Sequence, residues 1–548
     1  MAHALAGKPV QEQDIIDVQT IVDAYFDNVP DMTNPTQLVS FGTSGHRGTS
    51  VDGTFTDLHV AAITQAICDG RKQFGATGPI FVGQDTHALS QPALVTVLEV
   101  LAGNGVTAMV DCDMDFVPTP SVSRAMIRYN EEHDDKADGI IITPSHNPPD
   151  NGGIKYNTII GGPADTVVTK WIEMRANEYL TAYCESEDFK RISIDNIEPS
   201  AQVPYDYNGL YVEELGDVIN MEAIKAAGPK VLVDTLGGSG ASYWNAIKER
   251  YGLDLTIIHD DYDPTFSFMT YDHDGKVRMD CSSTYVMASV INRIGDFDLA
   301  VGNDPDYDRY GIVVSSGLIS ANTFLTLAAR YLFTTRGWKN KGVGKTVVCT
   351  TMIDKWAADA ETPVFEVPVG FKYFSQLLFD GAIGIGGEES AGASFLKKDG
   401  TVWTTDKDGM IMALLSMEIM AVMGKSALKM ADESLEEFGN PSFGRIDAPC
   451  KKEQKQILKQ MSAELITATT VDGDPITNIR TTSLYNDMPI DGVRVETDKG
   501  WFVARPSGTE DLYKIYGESY KGDLGLVALL TAGEEIVNAA LNGTIETE

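Results

Sequence analysis

Short apolar, β-rich runs alternate along the chain with stretches of helical pattern, which predicts α/β units. Three segments, PIFVGQDTHALS (79–90), KVLVDTLGGSG (230–240) and KTVVCTTMID (345–354), each read as a strand, a polar loop and then a helix. Each is answered farther on by a second strand that ends in a polar loop: GIIITPSHNP (139–148), DLAVGNDPDYDR (298–309) and AIGIGGEESAG (382–392). The pattern is one supersecondary unit used three times, at roughly domain spacing. Sites on α/β sheets gather in loops beyond strand ends, so the three second loops are where chemistry is expected.

Polar stretches mark the divisions. Residues 185–208 could join the first unit to the second, GIVVSSG near 311–317 closes the second, and 436–455 changes composition before a last, smaller part. The expected domains are 1–205, with an N-terminal extension, then 206–318, 319–440 and 441–548. The last contains GVRVETDKGWFVARPSGTED, read as two strands and a turn.

Composition narrows the function. The 548 residues predict three or four domains at roughly 150 residues each. Hydrophobic residues at 43% and charged residues at 22% exclude disordered, collagenous and coiled-coil classes. With 43 Lys+Arg against 79 Asp+Glu, the net charge is −36, which argues against nucleic acid as a partner. The same field repels a small anion unless local basic groups overcome it. The six cysteines show no CxxC pairing, so neither a disulfide framework nor a structural zinc site is expected. The first residues lack the pattern of a signal peptide. No apolar run is expected to reach the ~18–20 residues of a membrane span, since GLVALLTAGEEIVNAAL is broken by two glutamates. The expectation is a soluble cytoplasmic protein with no membrane partner.

Two loops concentrate reactive residues. In GIIITPSHNPPDNGGIKYN the strand stops at Pro144, and Ser145 falls in a tight turn. The surround TPSHN is not the GxSxG of a serine hydrolase. A lone serine there could simply cap a turn, but His146 beside it and Lys155 ten residues on point to chemistry. In GNDPDYDR, Asp304, Asp306 and Asp308 repel one another unless a cation neutralises them, and hard oxygen ligands suit Mg²⁺ or Ca²⁺. The loop is not an EF-hand, because its sixth and twelfth positions are Arg309 and Ser315. A solvated acidic turn is the plain alternative. Arg309, directly after the third acid, indicates an anion nearby. In RPSGTED, Arg505 offers a guanidinium fork for phosphate, with Ser507, Gly508 and Thr509 as turn donors. Glu388 and Ser390 in GGEES suit hydroxyl recognition. KGVGKTVV is no Walker A loop, since position 339 is Lys and the segment feeds a strand.

Taken in order, GTSGHRG (42–48), TPSHNP with GGIKYN, DPDYDR, VPVGFKY, GGEES, DKDG (406–409) and RPSGTED resemble the α-D-phosphohexomutase superfamily over most of the chain. The resemblance implies a four-domain architecture, three related α/β domains and a smaller, mobile α+β C-terminal cap around a central cleft. It implies that Ser145 carries a phosphoryl group, and that Asp304, Asp306 and Asp308 hold one Mg²⁺ together with a phosphoserine oxygen. By the same carry-over, Glu388 and Ser390 bind sugar hydroxyls and Arg505, Ser507, Gly508 and Thr509 bind the distal phosphate. Arg47, Arg309, Gly370, Lys372 and Lys407 would complete the lining, and His146 and Lys155 would serve the proton transfers, Lys155 as proton carrier on one side. The implied activity interconverts α-D-glucose 1-phosphate and glucose 6-phosphate through glucose 1,6-bisphosphate. Phosphomannomutase, a Mg²⁺-dependent sugar phosphatase and a non-catalytic sugar-phosphate binder are the alternatives, and monomer or homodimer stays open. Two departures stand out. No His follows the GEES loop as in some relatives, and His87 in GQDTHALS stands where many relatives carry Arg.

Overall fold

A computed structural model describes residues 2–42, 44–184, 189–506 and 512–545. The first strands and their answering strands become parallel neighbours: Ile80–Gln84 with Asp138–Ile142, Val231–Asp234 with Leu299–Asn303, and Gly342–Thr346 with Ile383–Gly387. The third first strand lies about three residues earlier than the expected KTVVC run, because GVGKT itself is the strand and Val347 and Val348 lie beyond its end, packed against the C-terminal sheet. On its other side, the first strand of each pair takes a third parallel strand, Ala108–Asp111, Leu255–Ile258 or Val364–Val367. The repeat seen in the sequence is therefore a repeat of topology. Such strands are covered on both faces, which is why most of them read as apolar runs. Ile140, Ile141 and Ile142 are all fully buried, each worth about 1.5–3 kcal/mol of burial.

The chain forms two compact units. The first holds Met1–Ser320, Ser375–Gly381 and Ser390–Leu428. Its six-stranded sheet runs in the order His46–Thr49, Asn151–Asn157, Asp138–Ile142, Ile80–Gln84, Ala108–Asp111, Gln202–Tyr205. Its five-stranded sheet runs Gly317–Leu318, Tyr310–Val314, Leu299–Asn303, Val231–Asp234, Leu255–Ile258. The N-terminal segment lies along residues 269–273, with His3, Gly7 and Val10 donating backbone hydrogen bonds to His273, Tyr271 and Met269. Leu5 and Val10 pack into that neighbour's core. The helix Gly409–Met423 starts at Asp408, whose buried carboxylate accepts from Ile411 N, Tyr211 Oη and Trp403 Nε1. Burial pushes Asp408 up to about 6 against those hydrogen bonds.

The second unit holds Ala321–Phe374, Ala382–Glu389 and Lys429–Glu548. In its C-terminal part the segment read as two strands and a turn forms the antiparallel pair Pro489–Thr497 and Gly500–Pro506, and further strands not foreseen flank it. Together they make a six-stranded antiparallel sheet, Ser442–Pro449, Leu512–Ser519, Gly500–Pro506, Pro489–Thr497, Asp474–Thr482, Thr470–Val471. Strands such as Asp474–Thr482 have no fully buried residue, so they carry no apolar run for the sequence to show. The sheet docks on the strand Gly342–Thr346 side through a cluster of Val347, Val348, Ile490, Trp501, Val503 and Tyr516, and Arg480 donates to both carboxylate oxygens of Glu366.

One correction concerns the last helix. Gly522–Asn542 is, by length and composition, apolar enough to cross a membrane, because two glutamates in 21 residues do not cancel its mean hydropathy of 1.5. In this fold Leu526, Leu529, Leu530, Val537 and Leu541 are buried in the core of the C-terminal sheet.

The first sheet makes a stability prediction. Asp138 is fully buried and accepts from both Nε and Nη2 of Arg71 and from Tyr156 Oη. Removing one partner leaves the other charge buried and unpaired, at a cost of about 3–5 kcal/mol. Asp138→Ala should therefore lower the urea midpoint of the earliest unfolding transition, and an unchanged midpoint would contradict it.

Candidate active site

The second strand of the first repeat delivers the serine loop. Thr143, directly after Asp138–Ile142, donates its backbone N–H to Gly153 O, and its hydroxyl accepts from Ser145 N at 2.7 Å. A Cβ at Gly153 would sit 2.2 Å from the Thr143 carbonyl oxygen, so only glycine allows this approach. Ser145 is buried and has φ 61°, a left-handed conformation rare for a side-chain-bearing residue. Its hydroxyl lies 2.9 Å from Asp304 Oδ2 and 3.2 Å from His146 Nδ1.

The second strand of the second repeat, Leu299–Asn303, runs into the acidic loop. Asp304, Asp306 and Asp308 are all buried, with oxygens within 4.8 Å of one another. Asp304 Oδ1 accepts from Arg309 N at 2.9 Å. Asp306 Oδ2 accepts from Lys155 Nζ at 2.6 Å and from Thr119 Oγ1 at 2.7 Å. Asp308 Oδ2 takes Lys155 Nζ at 3.1 Å and Lys407 Nζ at 2.7 Å. Asp306 Oδ1 and Asp308 Oδ1 are left buried with no hydrogen-bond partner among the described residues. Buried orphan carboxylate oxygens are costly, and a hard dication would satisfy both together with Asp304. The donor set fits such an ion.

Electrostatics agree. Burial, then Asp306 and Asp308, push Asp304 well above the usual carboxylate range in the absence of a cation. Asp308 is held well below it: burial opposes this, but Lys155, Lys407 and Arg309 prevail. Burial likewise opposes the charge of Lys155, yet Asp306 and Asp308 hold its ammonium above its ordinary value. Burial and Arg309 push His146 well below its usual value, with Asp280 opposing.

Lys407 arrives from DKDG. Gly409 N donates to Tyr307 O at 2.9 Å, and a Cβ there would meet Arg309 O at 2.0 Å, so this glycine lets the segment press on the acidic loop. Asp406 Oδ2 accepts from Asn157 Nδ2, fastening the same segment to the first sheet. Arg47 sits opposite Gly153 in the register and reaches Asn147 Oδ1 at 3.5 Å.

Ser145, His146, Lys155, Asp304, Asp306, Asp308, Arg309, Arg47 and Lys407 thus fall in the first unit, as does Ser390. Gly370, Lys372, Glu388 and Arg505 fall in the second. There Gly370 has φ 133° just before the helix Lys372–Phe379, Glu388 follows Ile383–Gly387 and is buried, and Arg505 sits opposite Lys514 with a buried Nε lacking a hydrogen bond among the described residues. Ser507, Gly508 and Thr509 lie outside the described residues.

Two contributors were not foreseen. Thr119 grips Asp306 with both its N–H and its hydroxyl. Asp280 stands 3.4 Å from Arg309 Nη1 and 3.9 Å from His146 Nε2, and the neighbouring Met279 N donates to His146 O. Both lie far in sequence from their partners, and neither sits in a patterned motif.

Fold and site together define a multidomain α/β enzyme, three copies of one unit plus an α+β domain, with a serine beside a three-carboxylate cation site. Models of the phosphoglucomutase/phosphomannomutase family match in four segments: α/β/α domains I, II and III at residues 38–182, 210–317 and 320–438, and the C-terminal domain at 447–524. A Komagataeibacter xylinus phosphoglucomutase is 46% identical over 539 residues, covering 97% of each chain. A Saccharomyces cerevisiae phosphoglucomutase 1 is 26% identical over 526 residues, covering 88% of each. The solved open form of Paramecium pp63/parafusin superposes with a TM-score of 0.72 at 20% identity, covering 94% of this chain and 96% of that one, a likeness of fold. The chain belongs to the phosphoglucomutase/phosphomannomutase family and is a mutase of the isomerase class.

Bound Mg²⁺ or Ca²⁺ should raise the thermal unfolding temperature of the wild type, by about 2.7 kcal/mol of added stability at a hundredfold excess over Kd. Asp306→Asn should lose most of that rise in a calorimetric titration. Equal shifts in both proteins would exclude the acidic loop as the cation site.

Proposed function

We propose that the protein interconverts α-D-glucose 1-phosphate and glucose 6-phosphate, with Ser145 carrying the transferred phosphoryl group. The observation that carries this reading is the Ser145 hydroxyl 2.9 Å from Asp304, in a cluster where Asp306 and Asp308 each keep a buried oxygen with no hydrogen bond among the described residues. The relative at 46% identity, named phosphoglucomutase, supports glucose as the sugar, as does the GEES sequence of the loop after Ile383–Gly387.

In the forward direction the sugar's 6-hydroxyl oxygen attacks phosphorus on phosphoserine 145. The serine P–O bond breaks, and bound glucose 1,6-bisphosphate forms. The bisphosphate then reorients, Ser145 Oγ attacks the phosphorus on O1, and glucose 6-phosphate leaves. A proton is lost from the attacking hydroxyl and regained by the departing sugar oxygen. His146 Nδ1, at 3.2 Å, is within reach of the proton on Ser145 Oγ. Lys155 is the candidate proton carrier on the sugar side, and its two carboxylate contacts fix the ammonium beside the serine loop. One Mg²⁺, held by Asp304, Asp306, Asp308 and a Ser145 oxygen, would neutralise charge developing on the phosphoryl group.

The remaining roles belong to the same reading. Glu388 and Ser390 take sugar hydroxyls, and Arg505, Ser507, Gly508 and Thr509 take the distal phosphate. Arg47, Arg309, Gly370, Lys372 and Lys407 line the path. The working domain limits are 1–205, 206–318, 319–440 and 441–548, the first because Gln202–Tyr205 is the last strand of the first sheet. Free sugar phosphates are the partners, acted on in the cytoplasm by a monomer or homodimer.

Ser145→Ala should abolish turnover and remove a ~80 Da phosphoryl adduct from the intact mass. A coupled assay comparing glucose, mannose and glucosamine phosphates should favour glucose 1-phosphate. Full activity in Ser145→Ala, or release of inorganic phosphate in place of glucose 6-phosphate, would overturn the proposal, the latter in favour of a phosphatase.

A further inference from the structure

The serine loop is gripped from beneath by two residues to which no role has yet been given. Asp85 and His87 directly follow the strand Ile80–Gln84, and both are buried, at 0% and 1% exposure. His87 Nδ1 lies 2.8 Å from Asp85 Oδ2, and its Nε2 lies 3.0 Å from the carbonyl oxygen of Asn147. The Asn147 carbonyl only accepts, and, against burial, His87 and the other hydrogen bonds to Asp85 hold its carboxyl below the usual range. An ionised Asp85 paired with a doubly protonated ring fits both contacts. Burial opposes that charge, but the Asp85 carboxylate outweighs it and raises the His87 pKa.

Asp85 is equally committed. Its Oδ1 accepts from His87 N at 3.0 Å and from Ser90 Oγ at 2.5 Å. Its Oδ2 also accepts from Thr143 Oγ1 at 2.6 Å. Thr143 Oγ1 is in turn the acceptor for Ser145 N. One buried ion pair therefore holds both ends of the segment 143–147, Asp85 through Thr143 and His87 through Asn147.

The segment needs such a grip. A non-glycine residue at φ 61° stores on the order of 1–3 kcal/mol and persists only where its surroundings over-determine it. These hydrogen bonds end on the strained turn itself rather than dispersing into the core. Phosphoryl transfer is in-line and depends on where the nucleophilic oxygen is held; a misplacement of about 1 Å can cost a hundredfold.

We propose that Asp85 and His87 are positioning residues, an ion-pair clamp that keeps Ser145 in its left-handed conformation with Oγ aimed at the acidic loop. The proposal rests on the reading of Ser145 as phosphoryl carrier. The His87 ring reaches both partners at once, the Asp85 carboxylate through Nδ1 and the loop carbonyl of Asn147 through Nε2.

The test compares His87→Gln, Thr143→Val and Thr143→Ser with wild type, using kcat and KM for glucose 1-phosphate and thermal unfolding to establish that each is folded. His87→Gln and Thr143→Val should lose about 10- to 100-fold in kcat with KM nearly unchanged, because positioning, not sugar binding, is removed. Thr143→Ser, which keeps the hydroxyl, should recover most of the loss. Should His87→Gln fail to fold, the Thr143 pair decides. Wild-type kcat in folded His87→Gln or Thr143→Val, equal losses in Thr143→Ser and Thr143→Val, or a change confined to KM would each overturn the clamp. Ser145→Ala separates the two levels. If it retains full turnover, the phosphoryl-carrier reading fails. If it is inactive while His87→Gln and Thr143→Val match wild type, only the clamp fails.

Discussion

Three carboxylates on one tight loop, all withdrawn from water, set the terms for the rest of the first unit. At about 4 Å and an effective dielectric near 20, each like-charge pair costs about 4 kcal/mol, far more than a turn can absorb. The offsetting partners come from separate parts of the chain. Lys155 comes from the edge region of the first sheet, Thr119 from the start of the helix Thr119–Glu132, Arg309 from the loop itself, and Lys407 from the segment before the helix Gly409–Met423. The acidic loop is therefore the point where segments matched to family domains I, II and III converge. Its electrostatic need explains why buried lysines, otherwise costly, are tolerated there.

The threefold repeat explains how such different groups arrive where they do. In each repeat the same strand, parallel to the first and next to it, ends in the reactive loop: TPSHN after Asp138–Ile142, DPDYDR after Leu299–Asn303, EES after Ile383–Gly387. Topology fixes the place, and the loop sequence fixes the chemical character: a buried serine, a cluster of three carboxylates and a pair of polar side chains. Loops beyond the carboxyl ends of parallel strands are free to vary because the core beneath them does not depend on their side chains.

This also accounts for what could be read in the residues alone. Parallel strands covered on both faces tend to leave apolar runs, so five of the six paired strands and the loops after them were visible; the sixth, Gly342–Thr346, has the sequence GVGKT, and the more apolar VVC just beyond it drew the expectation about three residues late. The alternating acids of 304–308 stood out because their mutual repulsion calls for a cation, basic partners or open solvent, and the structure supplies Lys155, Arg309 and Lys407. Most of the C-terminal sheet was invisible, since strands such as Asp474–Thr482 have no fully buried residue and follow no apolar rhythm. The last helix was misjudged because two glutamates do not outweigh its apolar majority. Thr119 and Asp280 were missed for a different reason. Their importance lies wholly in partners 187 and 29 residues away, and neither residue has a local pattern to betray it. His87 was visible only as an oddity, and its meaning required the position of the Asn147 carbonyl.

The net charge of −36 takes on a sharper meaning at this site. Against Arg47, Lys155, Arg309 and Lys407 stand Asp280, Asp306, Asp308 and Asp406, together with Asp304, whose carboxyl is pushed toward its neutral form by burial and its acidic neighbours. The basic groups therefore do not make the serine loop strongly positive by themselves. They bring a very acidic protein to local balance. At balance, the field an approaching phosphate meets is set by whatever occupies the orphan oxygens of Asp306 and Asp308. A dication there tips the site positive by two charges in a water-poor setting, where each charge counts for far more than at the surface. The long-range repulsion of the acidic exterior falls off within about 8–10 Å at physiological salt. The charge around the serine loop is thus set locally, by these pairs and by any ion the aspartates would hold, and not by the net charge of the chain.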